Sequence, residues 1–431
     1  MLQLLMIILL FLLSLMSGCG NQTIIDDRHP TMTIEEKAPV QIEIWHTYSE
    51  EETRIFENEL IPLFEKEYPE IDVKPVRQPY NEQLKSALIS RASVNRKPDI
   101  IRMDITWVPK FAELQLLYPV SQFADFKKVK ERFYEAPLAS NLYDQKYYGL
   151  PLNTNTKAAI YNKELLKEVG LLTPPKTMDE LIRVVKEHNL KIGMTHISSW
   201  GSLSYFYGLG GKLTDPSYTK ASGFLDSKES IAAIKKLVEL YQSSNLPPQI
   251  ISGYPETWQS IRSGNYFMID DGPWFYSVHS LEEIALLNEQ AVSAPFPSNG
   301  GPSSILGGEN IVITKGSKHP EAAWTFIKWM TTATPQKSLL HAGLLPTNKH
   351  VEVSTIIQQF PYYKSYIDSI DQTFLRPPVA EWDEIDEVYY HYIRLIFTQN
   401  ISVEEGLKKA AIEIDRLLNA KKNVKNGEHN L

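Results

Sequence analysis

From Pro39 onward the chain alternates short apolar runs with amphipathic stretches, and no other feature restricts its folding as much. QIEIW (41–45) alternates polar and apolar residues, the period of a half-buried strand. Ser49 with Glu52 three residues on is a capping box. A helix therefore starts there, with Ile55, Phe56, Leu60 and Phe64 as its apolar stripe. IDVKPV (71–76) reads as a strand, a helix follows from about Asn81, and PDIIRMD (98–104) reads as a buried strand. Alternation of this kind implies an α/β fold with a mainly parallel sheet covered by helices.

A second unit begins at GLPLNTNTKAAIYNKELLKEVGL (149–171), where Gly170 ends a helix and Thr177 with Glu180 caps the next. SKESIAAIKKLVELYQSS (227–244) is helical, and NYFMIDDG (265–272) is a strand running into a Gly-Pro turn. The Pro-, Gly- and Ser-rich stretch 295–304 reads as a crossing between units, after which ILGGENIVIT (305–314) resumes strand character. In the helix 319–332, Ala323, Phe326, Ile327 and Met330 share one face, and the adjacent Trp324 and Trp329 read as core. Ser402 and Glu405 cap the last helix.

The N-terminal end carries a different signal. Leu2 to Met16 is almost wholly apolar, followed by Ser17, Gly18 and Cys19, the sole cysteine of the chain. A single cysteine excludes an internal disulfide and a cysteine-based metal cluster. The apolar run is shorter than the roughly 20 residues of a membrane span. It reads instead as the core of a lipoprotein signal peptide, residues 1–18, with the new N-terminal Cys19 carrying lipid, the other reading being an ordinary secretion signal. Met16 stands where Leu is usual, and no Lys or Arg precedes the run. Residues 19–38 read as a flexible tether, so the body is expected outside the cytoplasm, anchored to the cell membrane. The 44 basic and 52 acidic residues leave a net charge of −8, and no basic run is interleaved with aromatics. Nucleic acid is therefore not an expected partner.

Catalytic motifs are missing: the sequence has no HExxH, GxxxxGK[ST], GxSxG or strand-following GxGxxG. Asp270 and Asp271 are adjacent on a strand and point to opposite faces, which disfavours a catalytic dyad. His46 has no partner histidine at a metal spacing. No catalytic residue, cofactor or metal is expected. Aromatic and polar residues gather instead at strand ends: Trp45 ends the first strand with His46 next to it, Asp104 and Trp107 follow PDII, and Asn153 and Asn155 lie in the 149–156 stretch. Asp271 and Trp274 follow FMID, and Glu309 follows a Gly pair. In open α/β sheets ligands bind outside the carboxyl ends of strands, so these positions can converge on one cleft. Aromatic faces stack on the apolar faces of sugars, while carboxylates and amides bond hydroxyls. Asp104 and Asp271 have a second reading as helix caps, and Glu309 one as a turn residue. The groups at the strand ends read as mainly neutral and acidic, which favours a sugar over a phosphate or metal.

The ordered segments MSGC, IEIWHTY, LFEKEYPEIDV, PDIIRMDITWVPKFAE, SGNYFMIDDGPWFY, GGENIVITKGSKHPEAAWTFIKWM and GLLPTN span essentially the whole chain. Together they resemble the extracellular solute-binding proteins of bacterial carbohydrate ABC importers, the group that includes maltodextrin binders. The resemblance implies a two-lobed periplasmic-binding-protein-like fold of type II, with three crossovers and a ligand cleft between the lobes. It implies lobe one at 39–150 plus 305–345 and lobe two at 151–304 plus 346–431. By the same resemblance, Trp45 to Tyr48 form the first binding loop and residues 78–80, with Tyr80, the second. Pro151 falls at the hinge, the Trp274 ring stacks on sugar, and Trp200 and Trp382 are distal candidates in lobe two. The implied function is a monomeric, lipid-anchored, non-enzymatic protein. It would capture an oligosaccharide or glycoside by hinge closure and deliver it to the permease subunits of an ABC importer. The alternatives are a surface-anchored glycoside hydrolase, or the same fold binding a non-sugar solute such as glycerol-phosphate.

Overall fold

The computed structural model describes residues 38–80, 82–93 and 97–428, without the side chains of 82, 92, 93 and 421–428. The expected signal segment, Cys19 and all of the tether but Ala38 lie outside the described residues.

Strand β1 (Val40–His46) lies between β2 (Ile71–Arg77) and β3 (Ile100–Asp104), all three parallel. A small hairpin, β4 (Leu142–Tyr143) and β5 (Lys146–Tyr147), precedes the long β6 (Gly149–Thr156). The chain then builds a second sheet from β7 (Ala158–Asn162), β8 (Ile192–Gly193), β9 (Met268–Asp271) and β10 (Ala291–Pro295), ordered β10-β7-β9-β8. It returns as β11 (Ser304–Ile313), which slots between β3 and β6 of the first sheet. β12 (Leu345–Pro346) closes the edge on β6, and β13 (Thr373–Phe374) pairs with the start of β11.

The first sheet is mixed, where a mainly parallel one was expected. β11 meets both β3 and β6 antiparallel. It enters from the second sheet through a linker and not over a covering helix, so nothing forces it into the parallel sense. β6 also runs unbroken past Pro151 to Thr156 within the first sheet, and the chain changes sheets at Lys157.

The local signals act as their chemistry requires. Ser49 and Glu52 form the reciprocal capping box of the helix Glu50–Ile55. Ile55, Phe56, Leu60 and Phe64 are all buried, although the helix widens into a π turn over Phe56–Leu60 before Pro62, which has no N–H to donate. Thr177 caps Met178–Glu187, and Ser402 accepts from the Glu405 amide at the start of Val403–Glu428. Trp324 and Trp329 are buried, each with its indole N–H on a carboxylate, Asp125 and Glu67 respectively.

Each sheet is covered on both faces. The first packs Ile42, Ile44, Phe56, Phe64 and Phe326 on one side and Trp45, Leu84, Leu88 and Phe111 on the other. The second packs the helices Ser199–Gly208, Lys228–Gln242 and Trp382–Phe397 on one side and Tyr276, Tyr362 and Tyr366 on the other. The two sheets with their helices are the two lobes of the fold. At the crossings, the Ser304 hydroxyl accepts from the Lys157 amide (3.0 Å) and donates to the Lys157 carbonyl (2.8 Å). That single hydroxyl ties the first crossing to the second.

Candidate functional site

A cleft of about 940 Å³ opens at the carboxyl ends of β1, β2 and β3, bounded by residues of both lobes. Its first wall is the loop after β1, with Thr47, Tyr48 and Ser49, and the loop after β2, with residues 78–80. Its second wall is Trp200 and Trp274, whose ring centroids are 6.4 Å apart at an interplanar angle of 28°.

Two glycines make that wall possible. A Cβ at Gly272 would lie 2.3 Å from the Trp274 ring, and one at Gly307 would lie 2.8 Å from the Trp200 ring. Each ring therefore rests on bare backbone. The Arg376 guanidinium sits 5.4 Å from the Trp200 centroid and the Lys157 ammonium 5.0 Å from it, so two cations interact with that ring. Lys157 is itself buried and paired with Asp270 (2.6 Å), which also accepts from the Tyr205 hydroxyl (2.7 Å). Burial raises the Asp270 pKa, and Lys157 opposes that shift.

The floor is a buried network joining three strands. Arg102 of β3 donates to Glu309 of β11 (2.9 Å), to Asn153 of β6 (3.2 Å) and to the Thr47 hydroxyl (2.7 Å). Asn153 in turn donates to Glu309 (2.5 Å). Burial raises the Glu309 pKa, with Arg102 and Asn153 acting against it. Between Glu309 and Asn310 the β6 register slips, leaving Leu152 as an extra residue, a bulge that re-aims Asn153 toward the floor. The Leu152 carbonyl is taken by the Gln336 side chain. The Arg102 guanidinium lies 4.3 Å from the Tyr48 centroid. The Tyr48 hydroxyl, 2 % exposed as a residue and lining the cleft, has no hydrogen-bond partner among the described residues.

Seven of the residues expected at the site line this cleft: Tyr48, Tyr80, Asp104, Asn155, Trp200, Trp274 and Glu309. Tyr80 donates to Asp104 (2.9 Å), which also caps the turn at Thr106 (2.8 and 2.6 Å). Asn153 lies directly behind, in the floor. Trp107 backs Tyr80, the two rings 6.4 Å apart and stacked nearly parallel. Trp45 is core: it packs against Leu84 and Leu88, donates to Glu43 (2.8 Å) and carries Arg91 over its face at 4.7 Å. β1 runs one residue further than expected, so His46 is still strand and points to the opposite face from Trp45. There it is fully buried against Tyr48 and Phe56, 3.2 Å from Glu57, and burial lowers its pKa to about 3. Trp382 is core of the second lobe. Asp271 serves its turn, accepting from the Trp258 indole (2.5 Å) and the Gly272 amide (2.8 Å), and it does not cap the helix Trp274–Ser277, whose N-cap is Pro273.

Sequence reasoning missed the arginines. Arg77, Arg102 and Arg376 line the cleft beside Glu52, Asp104 and Glu309, so the strand ends are balanced in charge where they read as mainly neutral and acidic. Arg102 was recoverable: an arginine inside the apolar strand IIRMD must find a buried partner. Arg376 had no such signal, because its loop reaches the cleft only through the packing of the second lobe. Among the described residues no group of three or more His, Cys, Asp or Glu could hold a metal ion, and no helix is long and apolar enough to cross a membrane.

The profile of the family described as bacterial extracellular solute-binding protein matches residues 59–363. The maltotriose-binding protein of Pyrococcus abyssi is 27% identical over 355 residues, covering 78% of this chain and 73% of its own length. The arabinooligosaccharide-binding protein of Halalkalibacterium halodurans is 24% identical over 403 residues, covering 86% and 88%. Among solved structures, the GacH receptor of Streptomyces glaucescens, studied unliganded and with acarbose, superposes with a TM-score of 0.72. It is 25% identical, and the match covers 89% of this chain and 99% of that one.

Proposed function

The chain belongs to the bacterial extracellular solute-binding proteins, and from that premise we propose that its cleft captures an oligosaccharide or related glycoside. The observation that carries the reading is the Trp200–Trp274 wall resting on Gly307 and Gly272, opposite the hydroxyl-bearing loops of the first lobe. Flat rings on one side and hydroxyl, amide and carboxylate groups on the other suit a pyranose, which is apolar on its faces and polar at its rim. The names of the relatives, maltotriose- and arabinooligosaccharide-binding, point the same way.

In this reading Asp104, Asn155 and Arg376 bond sugar hydroxyls, with Tyr48 buried behind them under the Arg102 guanidinium. The Arg102–Glu309–Asn153 network is the preorganised floor. Glu309 is neutralised by Arg102 and held by Asn153, which suits a binding floor and not the proton donor of a hydrolase. The lobes are taken as residues up to Thr156 with 304–346, and the remainder, bending at Lys157, at 296–303 and after Pro346. Ligand contacts to both lobes favour the closed form, which an ABC importer would receive. Lipid on Cys19 would hold the monomeric protein at the outer face of the cell membrane.

A thermal-shift panel tests this, because a solute that binds only the folded state raises the melting temperature. The panel holds maltotriose, arabino- and galacto-oligosaccharides, and glycerol-phosphate for the non-sugar reading. At a hundredfold excess over Kd the stabilisation is about 2.7 kcal/mol. Trp274→Ala is expected to abolish most of the shift. A panel in which only glycerol-phosphate raises the melting temperature would overturn the sugar assignment, and no shift with any member would overturn the reading.

A further inference from the structure

We infer that Lys85 and Asp383 form an electrostatic latch across the cleft mouth, setting how open the ligand-free cleft stands. The two residues are 298 positions apart and belong to different lobes, and their side chains are joined in an ion pair. Lys85 lies in the first turn of the helix Glu82–Ser93, which is pinned to the first lobe through Leu84 and Leu88. That helix follows directly on the loop carrying Tyr80, part of the cleft's first wall. Asp383 lies in the first turn of the helix Trp382–Phe397, anchored in the second lobe by Trp382, Ile385 and Tyr389. This helix follows Arg376, part of the cleft's second wall. Each partner therefore rides on a rigid helix one short step from a wall, and the pair spans the opening between them.

The surrounding charges agree in sign. Glu381, Asp383 and Glu384 make the entry to the second-lobe helix acidic, while Lys85 and Lys110 are basic on the facing side of the first lobe. The attraction of Lys110 is felt at Glu381, where it opposes the rise in pKa caused by burial. Asp383 has a simpler role open to it, since an acidic residue in the first turn of a helix is favourable by itself. That role would not require a lysine from the other lobe, and it predicts no dependence of lobe separation on Lys85.

The pair is partly exposed, 16 % for the Lys85 side chain and 56 % for that of Asp383. It therefore acts weakly and is screened by salt, shifting the open–closed ratio by about twofold to fivefold. A latch of that strength biases the cleft without trapping it. It requires only the two-lobe fold and holds whatever solute the cleft takes.

The test reads lobe separation directly, without any solute. Dyes are attached at Lys66→Cys and Lys228→Cys, one exposed position in each lobe of a body starting after Cys19 that otherwise lacks cysteine. Single-molecule energy transfer at low salt is compared for the native pair, Asp383→Asn, Asp383→Lys, and Asp383→Lys with Lys85→Asp. We expect both single variants to shift the population toward wider separation, the lysine more than the asparagine. The reversed pair should restore the native distribution, and 0.5 M salt should erase the differences. Circular dichroism confirms folding of each variant. Identical distributions in all four proteins, or a shift that the reversed pair does not restore, would overturn the latch. Because no sugar is present, that result leaves the solute reading standing, and a failed thermal-shift panel leaves the latch standing.

Discussion

Trp274 can lie flat in the cleft because position 272 carries no side chain, and a residue-scale reading of the site begins with such exclusions. The Gly-Pro-Trp turn was legible in the sequence, as was the placing of Trp324 and Trp329 in the core. Trp45 was not, because both faces of this sheet are covered, so alternation alone does not tell a core ring from one at the cleft. β1 includes His46, so Trp45 turns into one core and His46 into the other. His46 yields a residue-scale prediction. Burial holds it neutral down to about pH 3, whereas in the unfolded chain it takes a proton below about pH 6.5. The unfolded state then binds the extra proton, so stability is lost as pH falls from about 6.5 toward 3, by about 1.4 kcal/mol per unit. Glu309 and Asp270 carry the opposite sign, since their raised carboxyl pKa values return stability on acidification. Urea unfolding of native protein and His46→Gln at pH 7, 6 and 5 separates the two effects. The variant should lose less stability per pH unit than the native protein, and equal slopes would refute the assignment.

At the scale of elements, helices and short strands were readable because their signals are local: caps at Ser49 and Thr177, and stripes such as Ala323 to Met330. The pairing of β11 with β3 and β6 was not readable, because it joins segments some 150 to 200 residues apart. That pairing builds the floor. It also sets a strong demand on Gly308, whose φ is +124° and whose added Cβ would lie 2.3 Å from the Asn153 carbonyl oxygen. Gly308→Ala should cost on the order of 3 kcal/mol by strain and displacement of the β6–β11 ladder. Gly170 has φ +73° with open space around it, so Gly170→Ala should cost only about 1 kcal/mol. Calorimetry on the two variants checks this. Equal melting temperatures would show that the ladder yields to the extra carbon.

Across the whole molecule, the expectation of two lobes was legible once the ordered segments were taken together, and the mixed strand senses were not. The buried pair Lys157–Asp270 belongs to this scale, since it fastens the first crossing to β9, one of the two central strands of the second sheet. Both side chains are almost wholly hidden, so removing one leaves the other as an uncompensated charge. Lys157→Met should destabilise the protein by about 3–5 kcal/mol, and adding Asp270→Asn should recover part of that loss. Urea denaturation of the single and double variants decides the matter, and a double variant no better than the single would argue against the pairing.

The Ser304 hydroxyl, which both accepts from and donates to the backbone of Lys157, has a mechanical meaning. Two linkers that flex separately would let one lobe twist, shear and bend against the other. Pinned together at one atom, they must turn as a single strap. In the closure proposed above, that strap favours a swing about one axis, so the walls that meet would be the same two walls on every cycle.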